Sequence, residues 1–336
     1  MSIAHRSEPL VEVHRGDIIE SCHHGHVVIS DASGEVLEAW GESEAVVLPR
    51  SSSKMIQALP LVASGAADRQ GLTQRQLAFA CASHQGAPIH VEAANTWLTN
   101  LELGDDDLIC GPQTSRDKDL RNAMIKADQS PCRVHNNCSG KHCGFLTLAK
   151  DMGAGPDYVA LDHPVQKACR EAFEVVTVLE SPGYGIDGCS APNFATTMHG
   201  MARAMAFFAT AHARNDRLSK AAARLTEALH SHPDMVAGQG RACTLLMRAA
   251  REPAALKTGA EGYFIAILPQ RGIEVAVKAL DGATRAAECM IAAVLVRLGV
   301  LDAAHPDVIR FLTPPVLNWD GLVTGQIKPA ETLLVM

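Results

Sequence analysis

Aromatic residues make up only 4% of this 336-residue chain, with three Trp and three Tyr. That is too few for a stacking platform along single-stranded nucleic acid. A basic run is also missing. Lys and Arg number 30 against 37 Asp and Glu, are scattered, and leave a net charge of −7. This balance argues against nucleic acid or an acidic membrane as partner. No stretch reaches about 18 uninterrupted apolar residues, the length that spans a bilayer, and "MARAMAFFATA" is short and carries Arg203. The opening "MSIAHRSEPLVEVHRGDIIE" lacks the apolar centre of a secretory leader, so the expected location is cytoplasmic. Ten cysteines in such a chain are expected as reduced thiols that pack, react or bind metal.

What is present describes a globular chain. Hydrophobic residues reach 47%, and the length exceeds what one core usually organises, so two domains or one large α/β body are expected. Residues 10–41 read as strands, with "GHVVISDASGEVLEAWG" alternating about a "DASG" turn. From Ser51 the pattern turns helical. "SSSKMIQALPLVASG" starts behind Pro49 and ends at a glycine, and "LTQRQLAFACASH" has Thr73 as N-cap. The glycine- and proline-rich "SPGYGIDGCSAPN" is a shaped loop, followed by helices near 195–212 and 216–231. "GYFIAILPQRGIEVAVKAL" is a second hairpin, and "GATRAAECMIAAVLVRLG" reads as a closing helix. The order favours an α/β (α+β) fold. An antiparallel sheet from both chain ends, 1–50 and 235–336, would carry an inserted helical domain, 51–234, with the active site between them.

Four segments carry candidate chemistry. In "RSSSKM", Ser51 and Lys54 stand three apart, so on a helix they share a face. Their plain reading is an N-cap and a solvated lysine; their sharper one is a nucleophile and its base, near unpaired backbone N–H groups that suit an oxyanion. A lysine poised near pH 7 needs roughly 4–5 kcal/mol of desolvation or nearby positive charge. "LKTGAEGYF" places Lys257-Thr258-Gly259 before an apolar strand. S-x-x-K followed by K-T-G is the pairing found in serine β-lactamases and penicillin-binding proteins, although the intervening S-D-N is absent here. In "ACASHQG", Ser83 offers a second hydroxyl and His84 a proton carrier, with a helix C-cap as the simpler reading. "HNNCSGKHCG" and "GIDGCSAPN" supply Cys138, Lys141, His142, Cys143, Asp187 and Cys189. Thiols, imidazole and carboxylate suit zinc, and on composition His142 is the preferred nitrogen, but the spacing matches no standard finger and buried packing thiols are the alternative. Two weaker motifs read as ordinary structure. "CHHGH" (His23, His24, His26) suits a solvated hairpin edge, and "VAGQGRACT", with Gly238, suits a substrate-contacting loop or a plain turn rather than a dinucleotide fingerprint.

Taken together, "PRSSSKMIQALPLV", "ACASHQG", "HNNCSGKHCGFL", "GIDGCSAPNF", "MVAGQGRACTLLM" and "KTGAEGYF" resemble the L-asparaginase II family of the Rhizobium etli type. The resemblance implies a serine β-lactamase-like fold, hydrolysis of L-asparagine to L-aspartate and ammonia, and a homodimer. It implies two serine–lysine pairs, Ser51 with Lys54 and Ser83 with Lys257, although Lys278 on the neighbouring strand could take the place of Lys257. It also implies zinc on Cys138, Lys141 and Cys189, with Asp187 nearby; Lys141 enters through the resemblance alone. Arg50, beside the nucleophile, can hold the substrate α-carboxylate by a bidentate contact or can form a surface ion pair. His84, Asp187 and Gly238 are the other expected substrate-side residues. The competing readings are a glutaminase, a penicillin-recognising serine hydrolase, and a non-catalytic zinc- or amino-acid-binding protein.

Overall fold

The run from Val27 to Ile29 is buried at every residue rather than at every second one, as in a strand with neighbours along both sides. It belongs to the strand Ile18–Ser30 in the computed structural model, which describes residues 6–334. That strand pairs antiparallel with Glu8–Arg15, with Val36–Trp40 and with Ile273–Ala279, so that Val28 lies opposite Ala276 and Ser30 opposite Glu274. Beyond Ile273–Ala279 the sheet continues through Tyr263–Leu268 to Ala255–Thr258. Beyond Glu8–Arg15 it continues through Val323–Pro329 to Pro315–Leu317. Both expected hairpins are present, and the first is closed by Asp31, whose side chain accepts the backbone N–H groups of Ser33 and Glu35.

The α/β reading with an antiparallel sheet from both chain ends therefore describes the molecule. The helix Thr284–Arg297 does not close the chain, however. The final strands join the sheet beside Glu8–Arg15, and "GLVTGQIKP" concealed this because it mixes polar, glycine and proline residues in a strand that is largely exposed.

Two units emerge, one of residues 1–52, 196–210 and 242–336, the other of 53–195 and 211–241. The expected division at 50 and 235 differs from this in one important place. The helix Met198–Ala209 belongs with the sheet although it sits among helices in the sequence. It is buried nearly all round, so it has no polar face to give to solvent. It packs on the strands Ile18–Ser30, Tyr263–Leu268 and Ile273–Ala279, while Thr284–Arg297 covers the last two as well.

"CHHGH" is also not a solvated edge. His23 and His26 are buried in a strand paired on both sides. His23 bonds Asp281 at 2.5 Å through Nδ1, and His26 Nδ1 accepts the Glu42 N–H.

In the second unit, Ser139–Asp151 is buried over eleven consecutive residues, Ser139 to Ala149, and the helices Gln74–Ala80 and Pro88–Asn100 pack against it. Thr73 caps Gln74–Ala80 as expected, through a reciprocal pair of bonds with Gln76. Pro88–Asn100 is anchored by His90, which is fully buried: Nδ1 accepts the Ala87 N–H and Nε2 donates to the Asp234 carbonyl. Burial lowers the His90 pKa from 6.5 to about 4. Between those values the unfolded chain takes up a proton that the folded one refuses, so stability falls as pH falls through that window, by roughly 3 kcal/mol when complete. Urea midpoints at pH 7 and pH 4.5 should separate further in wild type than in His90→Gln. Equal separation in the two proteins would rule His90 out as the cause.

Candidate active site

The segment Arg50–Ser53 is a 3₁₀ turn, not the start of one long helix. It runs into two short helices, Lys54–Gln57 and Leu59–Ala63, the second with Pro60 in its first turn, where a missing N–H is tolerated. The three serines differ. Ser52 is fully buried, and both its hydroxyl and its N–H bond the Pro49 carbonyl, at 2.6 and 3.2 Å. Ser53 is 2% exposed, whereas Ser51 is half-buried and reachable. The Ser52 N–H is thus spent within the turn and is not a free oxyanion donor. Arg50, immediately before Ser51, has a left-handed backbone, φ +52°. For a non-glycine residue that costs on the order of 1–2 kcal/mol.

K-T-G borders this turn. Lys257 and Thr258 end the strand Ala255–Thr258, and Lys257 is fully buried with Nζ donating to the Thr258 carbonyl at 2.6 Å. Gly259 comes next, and a Cβ there would lie 2.7 Å from the Pro49 carbonyl oxygen and 3.3 Å from the Ser52 nitrogen. Only a glycine lets the strand end approach the serine turn this closely. Gly259→Ala must push the turn and strand apart, and we expect at least a tenfold loss of turnover with a lowered Tm. Unchanged kinetics would show that the close approach is immaterial. Lys278 donates from Nζ to the carbonyls of Glu261, at 2.7 Å, and of Ala279, so it holds the loop that follows K-T-G.

The helical unit assembles a second group. Lys54 is fully buried, and its Nζ donates to the carbonyls of Ala82 and Asn137 and, at 3.1 Å, to Cys138 Sγ. The Lys54 amine therefore sits against the residue preceding Ser83. The "SHQG" loop is held from two sides: Ser83 N–H bonds the Val236 carbonyl, and His84 N–H bonds Asn137. The His84 ring is fully buried and stacked on His90, with Nδ1 accepting from Gly86 N–H and Nε2 on Ser139 Oγ at 3.0 Å. This geometry positions the loop. Gly238 packs beside it with φ +112°, and a Cβ there would meet the Gln85 side chain at 2.7 Å. The second glycine-containing motif is therefore a tight loop against "SHQG".

The remaining members converge on sulfur. Cys138 caps Ser139–Asp151, Lys141 lies in its first turn, and Cys189 sits in the tight turn Asp187–Ala191. Cys138, Lys141 and Cys189 are each less than 5% exposed, and Lys141 Nζ donates to Cys189 Sγ at 3.0 Å. The hydrogen bond from Cys138 holds the Cys189 thiol well below its ordinary pKa; burial opposes this and Lys141 adds to it. Through the same bond, and through burial, Cys138 is held well above. Burial works against the Lys141 charge, but Cys189, Cys138 and Asp187 outweigh it and hold the ammonium above its usual range. His142 gives Nδ1 to Tyr158 Oη at 2.9 Å, while its buried Nε2 has no hydrogen-bond partner. Two sulfurs, an amine and an orphaned imidazole nitrogen are donors that suit zinc. Among the described residues no three His, Cys, Asp or Glu side chains are placed to share a metal.

With this geometry in hand, comparison with known proteins becomes informative. The model of one family, L-asparaginase II, matches residues 11–329. The chain belongs to the L-asparaginase II family. No curated protein sequence matches it. Among solved structures it is similar to a proposed β-lactamase from Bacteroides dorei, at 13% identity and a TM-score of 0.43 over 76% of this chain and 84% of that one. It is also similar to a β-lactamase from Mycobacterium bovis, at 12% identity and 0.41 over 78% and 89%. A third likeness is to the native form of a protein called Mglu, at 14% and 0.43; it spans 78% of this chain but only 61% of Mglu, under two thirds of its length. Membership of the L-asparaginase II family makes the chain an amidohydrolase of asparaginase type.

Sequence reasoning missed several residues of these clusters. Asn137 gives its carbonyl to both Lys54 and His84. Gln85 accepts three bonds at its carbonyl, from Ser115, Arg116 and Asp117. Tyr158 orients His142. A backbone carbonyl leaves no trace in residue type, so only Tyr158, a rare aromatic, offered a signal.

Proposed function

We propose that this chain hydrolyses the side-chain carboxamide of L-asparagine through a serine–lysine acyl-enzyme. The observation that carries the reading is Ser51. It is the reachable member of a serine triplet, set behind a strained residue and against K-T-G, in a chain of the L-asparaginase II family. Ser51 Oγ attacks the carboxamide carbon and Lys54 takes its proton, a step that requires the Lys54 amine to be neutral and to turn from Ala82 and Cys138 toward Ser51. Return of that proton to nitrogen releases ammonia and leaves an aspartyl ester, which water then hydrolyses. Ser83 and Lys257 serve as a proton relay or a second nucleophile pair, with Lys278 supporting the loop beside Lys257. Arg50 receives the substrate α-carboxylate, and Asp187 and the Gly238 loop line the substrate side. His84 acts by holding Ser83 in place.

The cofactor in this proposal is zinc on Cys138, Lys141 and Cys189. When bound it supplies a fixed positive charge that organises the loops or anchors substrate, since a serine already provides the nucleophile. The partner is a small-molecule amide. We further propose a cytoplasmic homodimer; no helix among the described residues is long and apolar enough to cross a membrane.

The second reading is a glutaminase. One methylene of substrate is worth only about 1–3 kcal/mol of discrimination, so side activity on L-glutamine is expected. Ammonia release from L-asparagine and L-glutamine, measured beside turnover of a chromogenic cephalosporin, tests all of these. Asparagine turnover without cephalosporin cleavage supports the proposal. Cephalosporin cleavage would favour a penicillin-recognising hydrolase, and one bound zinc with no turnover a binding protein.

A further inference from the structure

Two charged residues beside the serine turn share an unusual backbone. Arg50 has φ +52° and Glu261, in the loop after K-T-G, has φ +57°. Their side chains meet as a loose pair, with Nη1 of Arg50 4.0 Å from the Glu261 carboxylate and Glu261 69% exposed. An exposed pair at that distance returns less than the strain of either residue, so the pair itself does not account for the conformation. The surroundings impose it. Lys278 Nζ holds the Glu261 carbonyl, the missing Cβ of Gly282 leaves room for the Glu261 carboxylate, and the missing Cβ of Gly259 lets the same loop lie against Pro49. A loop held in this way brings a carboxylate to 4.0 Å from a guanidinium, one residue from the proposed nucleophile. Backbone strain held by its neighbours in this way marks sites that bind or react.

An α-amino acid carries a carboxylate and an ammonium on one carbon. We infer that Arg50 and Glu261 together form the recognition pair for this zwitterion, Arg50 taking the α-carboxylate and Glu261 the α-ammonium. The inference rests on the asparaginase reading and deepens it, because it makes Glu261 the residue that restricts the enzyme to free α-amino acids. The weak pair seen here is displaced by substrate at little cost, with each partner exchanging one opposite charge for another. An amide lacking the α-amino group would leave Glu261 beside Arg50 and forfeit half of the recognition.

Steady-state kinetics on three amides test this: L-asparagine, succinamic acid, which lacks the ammonium, and 3-aminopropanamide, which lacks the carboxylate. Wild type should favour L-asparagine over succinamic acid in kcat/KM by about 10- to 100-fold, the range of one charged hydrogen bond. Glu261→Gln should collapse that ratio, chiefly through KM, and Arg50→Gln should collapse the ratio of L-asparagine to 3-aminopropanamide instead. Parallel loss on all three amides in Glu261→Gln would reduce Glu261 to a loop support and overturn the inference. If wild type hydrolyses none of them, the asparaginase reading has failed, and calorimetry of L-aspartate against succinate then decides recognition separately. A wild-type preference for L-aspartate that Glu261→Gln abolishes supports the pair; no preference, or one that persists in the variant, overturns it.

Discussion

Ser51→Ala releases ammonia from L-asparagine about 10⁴-fold more slowly than wild type, or worse, because the substitution removes the proposed nucleophile. Ser52 is not a substitute, since its hydroxyl is buried on the Pro49 carbonyl. The alanine removes one oxygen from a half-buried position, so the variant should unfold within about 0.5 kcal/mol of wild type. Ser83→Ala should cost less, roughly 10²-fold, as expected of a group that relays protons. Mass spectrometry of quenched turnover should find the aspartyl adduct on the peptide containing Ser51. If Ser51→Ala keeps wild-type turnover and Ser83→Ala does not, the nucleophile is Ser83.

Metal-free Cys189→Ala is expected to lose about 3–5 kcal/mol of stability, and under the zinc proposal the variant also fails to bind the metal. Its Sγ lies 3.0 Å from the Lys141 ammonium, and both groups are 3% exposed. Removing one partner of a buried pair strands the other charge, which is the costly way to break such a pair. Replacing both partners should therefore cost less than replacing one. The double variant Cys189→Ala, Lys141→Met should recover much of the lost stability while remaining free of zinc. Denaturant midpoints and metal content of the three proteins measure the two effects separately. A loss below about 1 kcal/mol in Cys189→Ala, or no relief from Lys141→Met, would show that the pair is not held as a buried charge couple.

Local signals were legible wherever chemistry follows from neighbours in the chain. Thr73 with Gln76 announced a capped helix, Asp31 a hairpin turn, and the apolar run Tyr263–Leu268 one strand of a second hairpin. Legibility failed where partners lie far apart. His23 reads as an edge histidine until Asp281, 258 residues on, is placed against it. Met198–Ala209 reads as one more helix of a helical domain until its all-round burial assigns it to the sheet. Residue type favours imidazole as a zinc ligand, whereas the structure puts the Lys141 amine on Cys189 and turns one His142 nitrogen to Tyr158.

The sequence alone determined the fold class, the S-x-x-K and K-T-G motifs, the cysteine-bearing loops and the family they resemble, because periodicity and short spacings are properties of adjacent residues. Only the tertiary structure decided which of the three serines is reachable, that Gly259 touches the serine turn, that Lys54 is turned toward Ala82 and Cys138, and that Arg50 and Glu261 share a strained, supported pairing. These depend on burial and on contacts between segments distant in the chain, which no local pattern of residues encodes.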